Sequence, residues 1–306
     1  MRGEHGFGAE PGSRSREPIT PWAGAAAPPS GAASEAGTRV VWNLVLFAAT
    51  LLTTTWAGAL HRGVNLLQQP ERWTIGVPYA VALLTILGIH EMGHYLVARR
   101  RGVGVSLPYF IPVPTYLGTF GAFIRMRGAV RDRAAYFDVA IAGPLAGLVA
   151  AIVALIVGLP GSSTATAHGM APSSSLLFAG IYRIVTGALP TGPVELGAVA
   201  FAGWLGLVVT ALNLIPVGQL DGGHVAYALL GHRGAATLGK VIVGLLLVGG
   251  VLYSPQLLTW ALLIWFFAGV GHPPARDELT PLSGGRKVLA YAALALLLAI
   301  ALPWPA

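Results

Sequence analysis

Long apolar stretches alternate with short polar ones along most of this chain. Residues 40–60 carry no ionisable group, 74–98 are apolar except for His90, Glu91 and His94, and 134–159 are apolar except for Asp138. Residues 196–215 form a fourth uncharged run, followed by weaker candidates at 235–253, 256–271 and 288–302. A helix rising 1.5 Å per residue needs about 20 apolar residues to cross a hydrocarbon core of about 30 Å. The pattern therefore predicts an all-α polytopic membrane protein with six or seven transmembrane helices.

Composition agrees. Of 306 residues, 55% are hydrophobic and only 10% charged, against about 25% charged in a typical soluble domain, and mean hydropathy is +0.68. A water-soluble globule is excluded. Residues 1–38 differ from the rest: they are rich in Gly, Ala, Pro and Ser, mix Arg2, Arg14 and Arg16 with Glu4, Glu10, Glu17 and Glu35, and show no apolar period. They are expected to form a disordered cytoplasmic tail ahead of a membrane domain at 39–306. That tail has no apolar signal core and is too acidic for an organellar transit peptide, so the first anchor is an internal span. A multi-pass protein of a bacterial inner membrane is the expected setting.

The net charge of +7 would suggest nucleic acid as a partner in a soluble protein. Here all 19 basic residues but Lys240 and Lys287 are Arg, and Arg99, Arg100, Arg101, Arg125, Arg127, Arg131 and Arg133 cluster between the second and third runs, where the preceding polar stretch has only Arg62 and Arg72. The positive-inside rule places that segment in the cytoplasm, and with it the amino terminus and the end of the fourth run near Pro216. The arginines are topology signals facing a lipid bilayer, and no nucleic acid is expected. With no Cys, any bound metal must use His, Asp or Glu.

The second run contains His90-Glu91-Met92-Gly93-His94. At 100° per residue, His at i and i+4 share one helix face with Glu91 beside them, an arrangement used by zinc hydrolases. Ionisable groups inside a span are costly and must face protein or a wet cavity. Catalytic zinc takes three protein ligands and keeps one open position, so a carboxylate is needed. Asp138, Glu195 and Asp221 are candidates, whereas Asp277 and Glu278 adjoin Arg276 in a polar loop and read as solvated. Asp221 stands out: it lies in Asn213-Leu214-Ile215-Pro216-Val217-Gly218-Gln219-Leu220-Asp221-Gly222-Gly223-His224, where Pro and Gly break the apolar pattern just after a run. Such a break must fold against protein or a water-filled cavity.

Together, H-E-x-x-H in a span and a later N-x-x-P followed by L-D-G make the chain resemble the site-2 protease family of intramembrane zinc metalloproteases. Asn213, Pro216, Leu220, Asp221 and Gly222 match the second motif, and the likeness takes in FDVAIAGPLAG at 137–147, covering roughly 77–232. The resemblance implies that His90, His94 and Asp221 hold Zn2+, that Glu91 is the general base, and that the substrate is a membrane-anchored protein. Asn213 is a candidate to contact the substrate carbonyl or oxyanion, with a packing amide as the alternative. His224 is expected beside the ligand set or at the surface, and Asp138 in a structural role near the cytoplasmic interface.

The alternative function is a divalent metal transporter with a midplane His/Glu site, but no other run supplies a His to continue a path. A serine protease lacks G-x-S-x-G and an aspartyl one lacks G-x-G-D. Between the second and third runs, residues 107–124 are apolar yet too rich in Pro and Gly for a helix. They are expected to form a β-hairpin or re-entrant strand near the metal, with 118–126 offering an edge to substrate; an interfacial loop is the other reading.

Overall fold

The computed structural model describes residues 31–127, 130–164, 175–190, 194–269 and 275–303. The chain divides into two compact units, Met1–Arg39 and Val40–Ala306, and the second holds the strands, the site and every contact described below. Residues 1–30 of the expected tail lie outside the described residues, and α1 (Gly31–His61) begins at Gly31. After a short 3-10 turn at Pro70–Ile75 come α2 (Val77–Arg100) and four short strands: β1 (Gly104–Val105), β2 (Tyr109–Pro112), β3 (Thr119–Phe123) and β4 (Met126–Arg127). Next are α3 (Arg133–Gly158), β5 (Ser163–Thr164), α4 (Leu176–Thr186), β6 (Val194–Glu195), α5 (Ala198–Leu214), α6 (Asp221–Leu252), α7 (Pro255–Ala268) and α8 (Gly284–Ala301).

Among the described residues, five helical segments are long and apolar enough to cross a membrane: Val40–His61, Val77–Arg100, Arg133–Gly161, Asp221–Leu252 and Gly284–Ala301. The polytopic all-α architecture is as expected, and all seven apolar runs are helical, two of them in shorter helices. The fourth apolar run forms only the 17 residues of α5, and the sixth only the 14 of α7. The fifth run forms the second part of α6, a helix in its own right that is set off from the Asp221 part by Gly231, where φ is 76° and ψ 178°; only glycine adopts that conformation without strain.

The site-bearing core is α2 packed on α3, with α5 against both and the start of α6 against α3. Small residues allow the close approaches that membrane helices rely on when lipid is as apolar as their own side chains. A Cβ on Gly93 of α2 would lie 2.6 Å from the Ala142 carbonyl oxygen of α3, and one on Gly203 of α5 would lie 2.9 Å from that of Ala151. Leu83, Leu87, Phe110, Phe201 and Leu205 fill the space between α2, α5 and β2.

Residues 104–127 make an antiparallel ribbon. Gly104 and Val105 pair with Arg127 and Met126, and Tyr109 and Phe110 pair with Phe123 and Ala122. The sequence thus gave the right choice between hairpin and loop, because Pro and Gly forbid a helix here while the alternate residues remain apolar. From the tip at Gly118 to Arg127, nine residues at about 3.3 Å each span about 30 Å, enough to traverse the hydrocarbon core. The arginine-bearing end lies by the carboxyl end of α2, and the tip meets His61 and Tyr79 near the opposite helix ends. Among the described residues, β3 pairs with β2 along one edge and has no strand on the other.

Candidate metal centre

α2 carries His90, Glu91 and His94 on its buried face, with only 3%, 6% and 6% of their surfaces exposed. His90 lies ten residues before the end of α2, about 15 Å along the axis and near mid-membrane. α3 makes room for the two rings. A Cβ on Gly143 would fall 2.1 Å from His94 Nε2, and one on Gly147 would fall 2.9 Å from His90 Nδ1. These two glycines, four residues apart on one helix face, are the seats on which the imidazoles rest.

The protonation of His94 follows from its partner. His94 Nδ1 lies 2.7 Å from the carbonyl oxygen of Val139, and a carbonyl can only accept, so Nδ1 bears the hydrogen and donates it. In the neutral ring this leaves a lone pair on Nε2, which points at the other donors of the site. A backbone carbonyl that fixes tautomer and ring direction in this way is a typical outer partner of a metal-bound histidine.

Asp221 closes the site. It is the first residue of α6, brought back to α2 by the turn at residues 215–220. Gly222 and Gly223 permit that fold-back: a Cβ on the first would lie 2.0 Å from the Leu214 carbonyl oxygen, and on the second 2.2 Å from that of Gly218. The expected return of 216–219 into the protein is therefore realised, and Asp221 reaches the site although it follows the end of α5. Its Oδ2 stands 3.4 Å from His90 Nε2 and 3.2 Å from His94 Nε2, while the two Nε2 atoms are 3.1 Å apart. Donors about 2.0–2.1 Å from a tetrahedral zinc are separated from one another by about 3.3 Å, so the triangle fits the metal. Electron-rich atoms converging at this depth also call for a cation at their centre.

Glu91 competes with Asp221 as the carboxylate ligand, since His90, Glu91 and His94 by themselves could hold a metal. Glu91 Oε1 is 4.0 Å from His90 Nε2, farther than the edges of the triangle. Ile124, which follows β3, lines the same pocket as Glu91, which sets the strand beside the metal position. Asn213 Nδ2 is 3.3 Å from His90 Nε2, so its amide adjoins the same position. These groups line a pocket of about 200 Å³ shared with Ala122, Phe123, Tyr136, Leu220 and His224.

Other expectations resolve as follows. Asp138 forms an ion pair with Arg101 and a bidentate one with Arg286, at 2.8 and 2.9 Å, joining α2, α3 and α8 in the structural role expected of it. His224 is not at the surface: it is 8% exposed and stacks on Tyr136 with ring centroids 5.4 Å apart. Glu278 is not merely solvated, since Tyr227 Oη donates to it at 2.8 Å. Asp277 stays exposed to water. It is bonded to Thr280 Oγ1 and to the amides of Leu279 and Thr280, and its carboxyl is held below the usual value. Glu195 lies in β6 beside Ser163, apart from the pocket. The sequence reading missed the Val139 carbonyl and the seats at Gly143 and Gly147. The signal was present as G-x-x-x-G in the run facing the histidines.

The family model described as Peptidase family M50 matches residues 78–253, which contain every residue of this site. Among curated proteins, the chain is 35% identical over 239 residues to "Probable zinc metalloprotease EGY1, chloroplastic" of Arabidopsis thaliana, covering 74% of this chain and 43% of that protein. It is 33% identical over 241 residues to "Probable zinc metalloprotease EGY2, chloroplastic" of Oryza sativa subsp. indica, covering 75% and 43%. It is also 32% identical over 228 residues to "Probable zinc metallopeptidase EGY3, chloroplastic" of Arabidopsis thaliana, covering 69% and 40%. The chain thus spans about four-tenths of the length of these relatives. Their chloroplastic names lend no support to the bacterial inner membrane expected from the sequence, and membrane residence rests on the apolar helices themselves.

Proposed function

Because this chain belongs to peptidase family M50, the site-2 protease family, we propose that it is an intramembrane zinc endopeptidase that hydrolyses peptide bonds within or near the transmembrane segments of membrane-anchored proteins. The observation that carries this reading is the triangle of His90 Nε2, His94 Nε2 and Asp221 Oδ2 with Glu91 alongside. The triangle is the metal seat, and it would hold zinc. When bound, zinc supplies a Lewis acid that polarises a carbonyl and acidifies water.

The protein's own groups supply the rest. Glu91 accepts a proton from the attacking water as oxygen adds to the scissile carbonyl carbon, and returns it to the amine as the C–N bond breaks. Glu91 shares its pocket with Ala122, Phe123 and Ile124, so the carboxylate stands at the strand where substrate is expected. The amide of Asn213 is placed to donate toward the oxygen on which charge develops. A transmembrane helix hides its carbonyls in i to i+4 bonds, so the substrate must be unwound locally. The free edge of β3 supports docking of that unwound segment by main-chain hydrogen bonds. The arginine-rich helix ends favour a cytoplasmic mouth, from which water reaches the pocket.

A metal transporter would need ligands continuing along a path. Among the described residues, His90, Glu91 and His94 form a group able to share a metal and Asp221 adjoins that same group, which supports a single catalytic depth. The test is proteolysis of a single-pass reporter by the purified chain in detergent. Cleavage should stop on chelation, return with added zinc, and be absent in Glu91→Gln; cleavage that persists in Glu91→Gln would overturn the reading.

A further inference from the structure

At the tip of the β2–β3 hairpin three consecutive backbone carbonyls each meet a different side chain, the last of them, that of Gly118, also accepting from Val113 N at 3.2 Å. His61 Nε2 lies 2.7 Å from the Tyr116 oxygen, Tyr79 Oη donates to that of Leu117 at 2.9 Å, and Thr53 Oγ1 donates to that of Gly118 at 2.6 Å. Thr53 and His61 belong to α1, outside the stretch matched by the family model, and Tyr79 to the start of α2. The approach at the tip is close: Gly118 has φ +79°, and a Cβ there would fall 2.5 Å from Thr54 Cα. His61 is itself held by the rings of Tyr79, Tyr116 and Phe201, with centroids 4.3 to 4.9 Å away.

The other end of the ribbon is pinned too. Ser106 N donates to the Arg125 carbonyl at 3.0 Å, and Arg125 N donates to Ser106 Oγ at 2.9 Å. Between the two pins lies β3, whose continuation at Ile124 lines the same pocket as Glu91. The position of the strand along α2 is thus fixed against the general base. Sliding a strand by one residue moves it about 3.3 Å, enough to bring a neighbouring peptide bond opposite Glu91.

We propose that Thr53, Tyr79 and His61 are positioning residues whose clamp on the hairpin tip fixes which peptide bond of a docked substrate reaches Glu91. The proposal rests on the reading of β3 as the docking edge. None of the three side chains is a metal ligand, so their effect is on register and not on chemistry.

The test uses the full chain in detergent with a single-pass model substrate, its products identified by mass spectrometry. Thr53→Val, Tyr79→Phe and His61→Phe each remove a donor while keeping most of the side-chain volume. Each should retain zinc and thermal stability, yet raise KM and increase several-fold the share of products cut one or two residues from the main site, with Thr53→Ser restoring the native pattern. An unchanged KM and product ratio in all three would overturn the clamp, as would loss of activity that tracks loss of zinc or fold. Ala122→Pro in the same assay separates the two readings. If it cleaves normally, docking on β3 itself fails. If it is inactive while the clamp variants cut at the native bond alone, only the clamp fails.

Discussion

His94 Nδ1 donates to the carbonyl oxygen of Val139 across the α2–α3 contact at 2.7 Å, so the metal-facing nitrogen of the second histidine is aimed by a helix that supplies no ligand. Gly143, one turn further along α3, leaves the space the ring occupies.

Gly143→Ala should therefore damage the metal site more than Gly147→Ala, since the added methyl would meet His94 at 2.1 Å in the first case and His90 at 2.9 Å in the second. Disturbing an outer partner of a metal ligand typically costs 10–100-fold in affinity. Competition with a fluorescent zinc chelator should place Gly143→Ala toward the weaker end of about that range and Gly147→Ala between it and the native protein. Equal, native affinities would show that the rings do not depend on these seats.

Ala122→Pro should abolish most proteolysis while zinc binding persists. Ala122 lies in β3 opposite Phe110 and lines the pocket beside Glu91. Proline there removes a main-chain donor without touching the His90, His94 and Asp221 cluster. The readout is reporter cleavage beside metal content, and cleavage at the native rate would return the hairpin to a structural role.

Asp132 makes stability depend on pH. It caps α3, accepting from Ala135 N at 2.7 Å, and pairs with Arg131 at 2.8 Å. Partial burial pushes its carboxyl up, but these partners outweigh burial and hold it below the usual value. A lowered folded-state value means that the stabilisation is complete above the ordinary Asp value of about 3.9 and is lost as pH falls through the folded-state value. Asp132→Ala should cost about 1 kcal/mol near neutrality, and thermal unfolding of variant and native chain should converge in acid. A constant difference across pH 3–6 would remove the carboxylate from this role.

The convergence of His90, Glu91 and His94 was legible in the sequence because H-E-x-x-H needs only helical spacing to bring them together and an ionisable cluster in an apolar run has no cheaper explanation. Asp221 was legible as the residue after a Pro/Gly break, though its return to mid-membrane depended on Gly222 and Gly223, whose close contacts with the Leu214 and Gly218 carbonyls no pattern announces. The helices at the seven apolar runs were legible, but the helical stretch from Asp221 to Gly231 that precedes the fifth run was not, since its Gly and His residues break the apolar pattern. The three carbonyl contacts at residues 116–118 were equally hidden, since they join α1 and α2 to a turn 38 to 65 residues away.

The most direct measurement is zinc per chain by elemental analysis on purified native protein, His90→Ala, His94→Ala, Asp221→Ala and Glu91→Gln, read beside cleavage of the same reporter. The triangle of two imidazoles and one carboxylate requires about one zinc in the native chain and little in the first three variants. Glu91→Gln should hold zinc as the native protein does and cut nothing. Full zinc occupancy in Asp221→Ala, or zinc lost from Glu91→Gln while Asp221→Ala keeps it, would contradict the assignment of Asp221 as ligand and Glu91 as base.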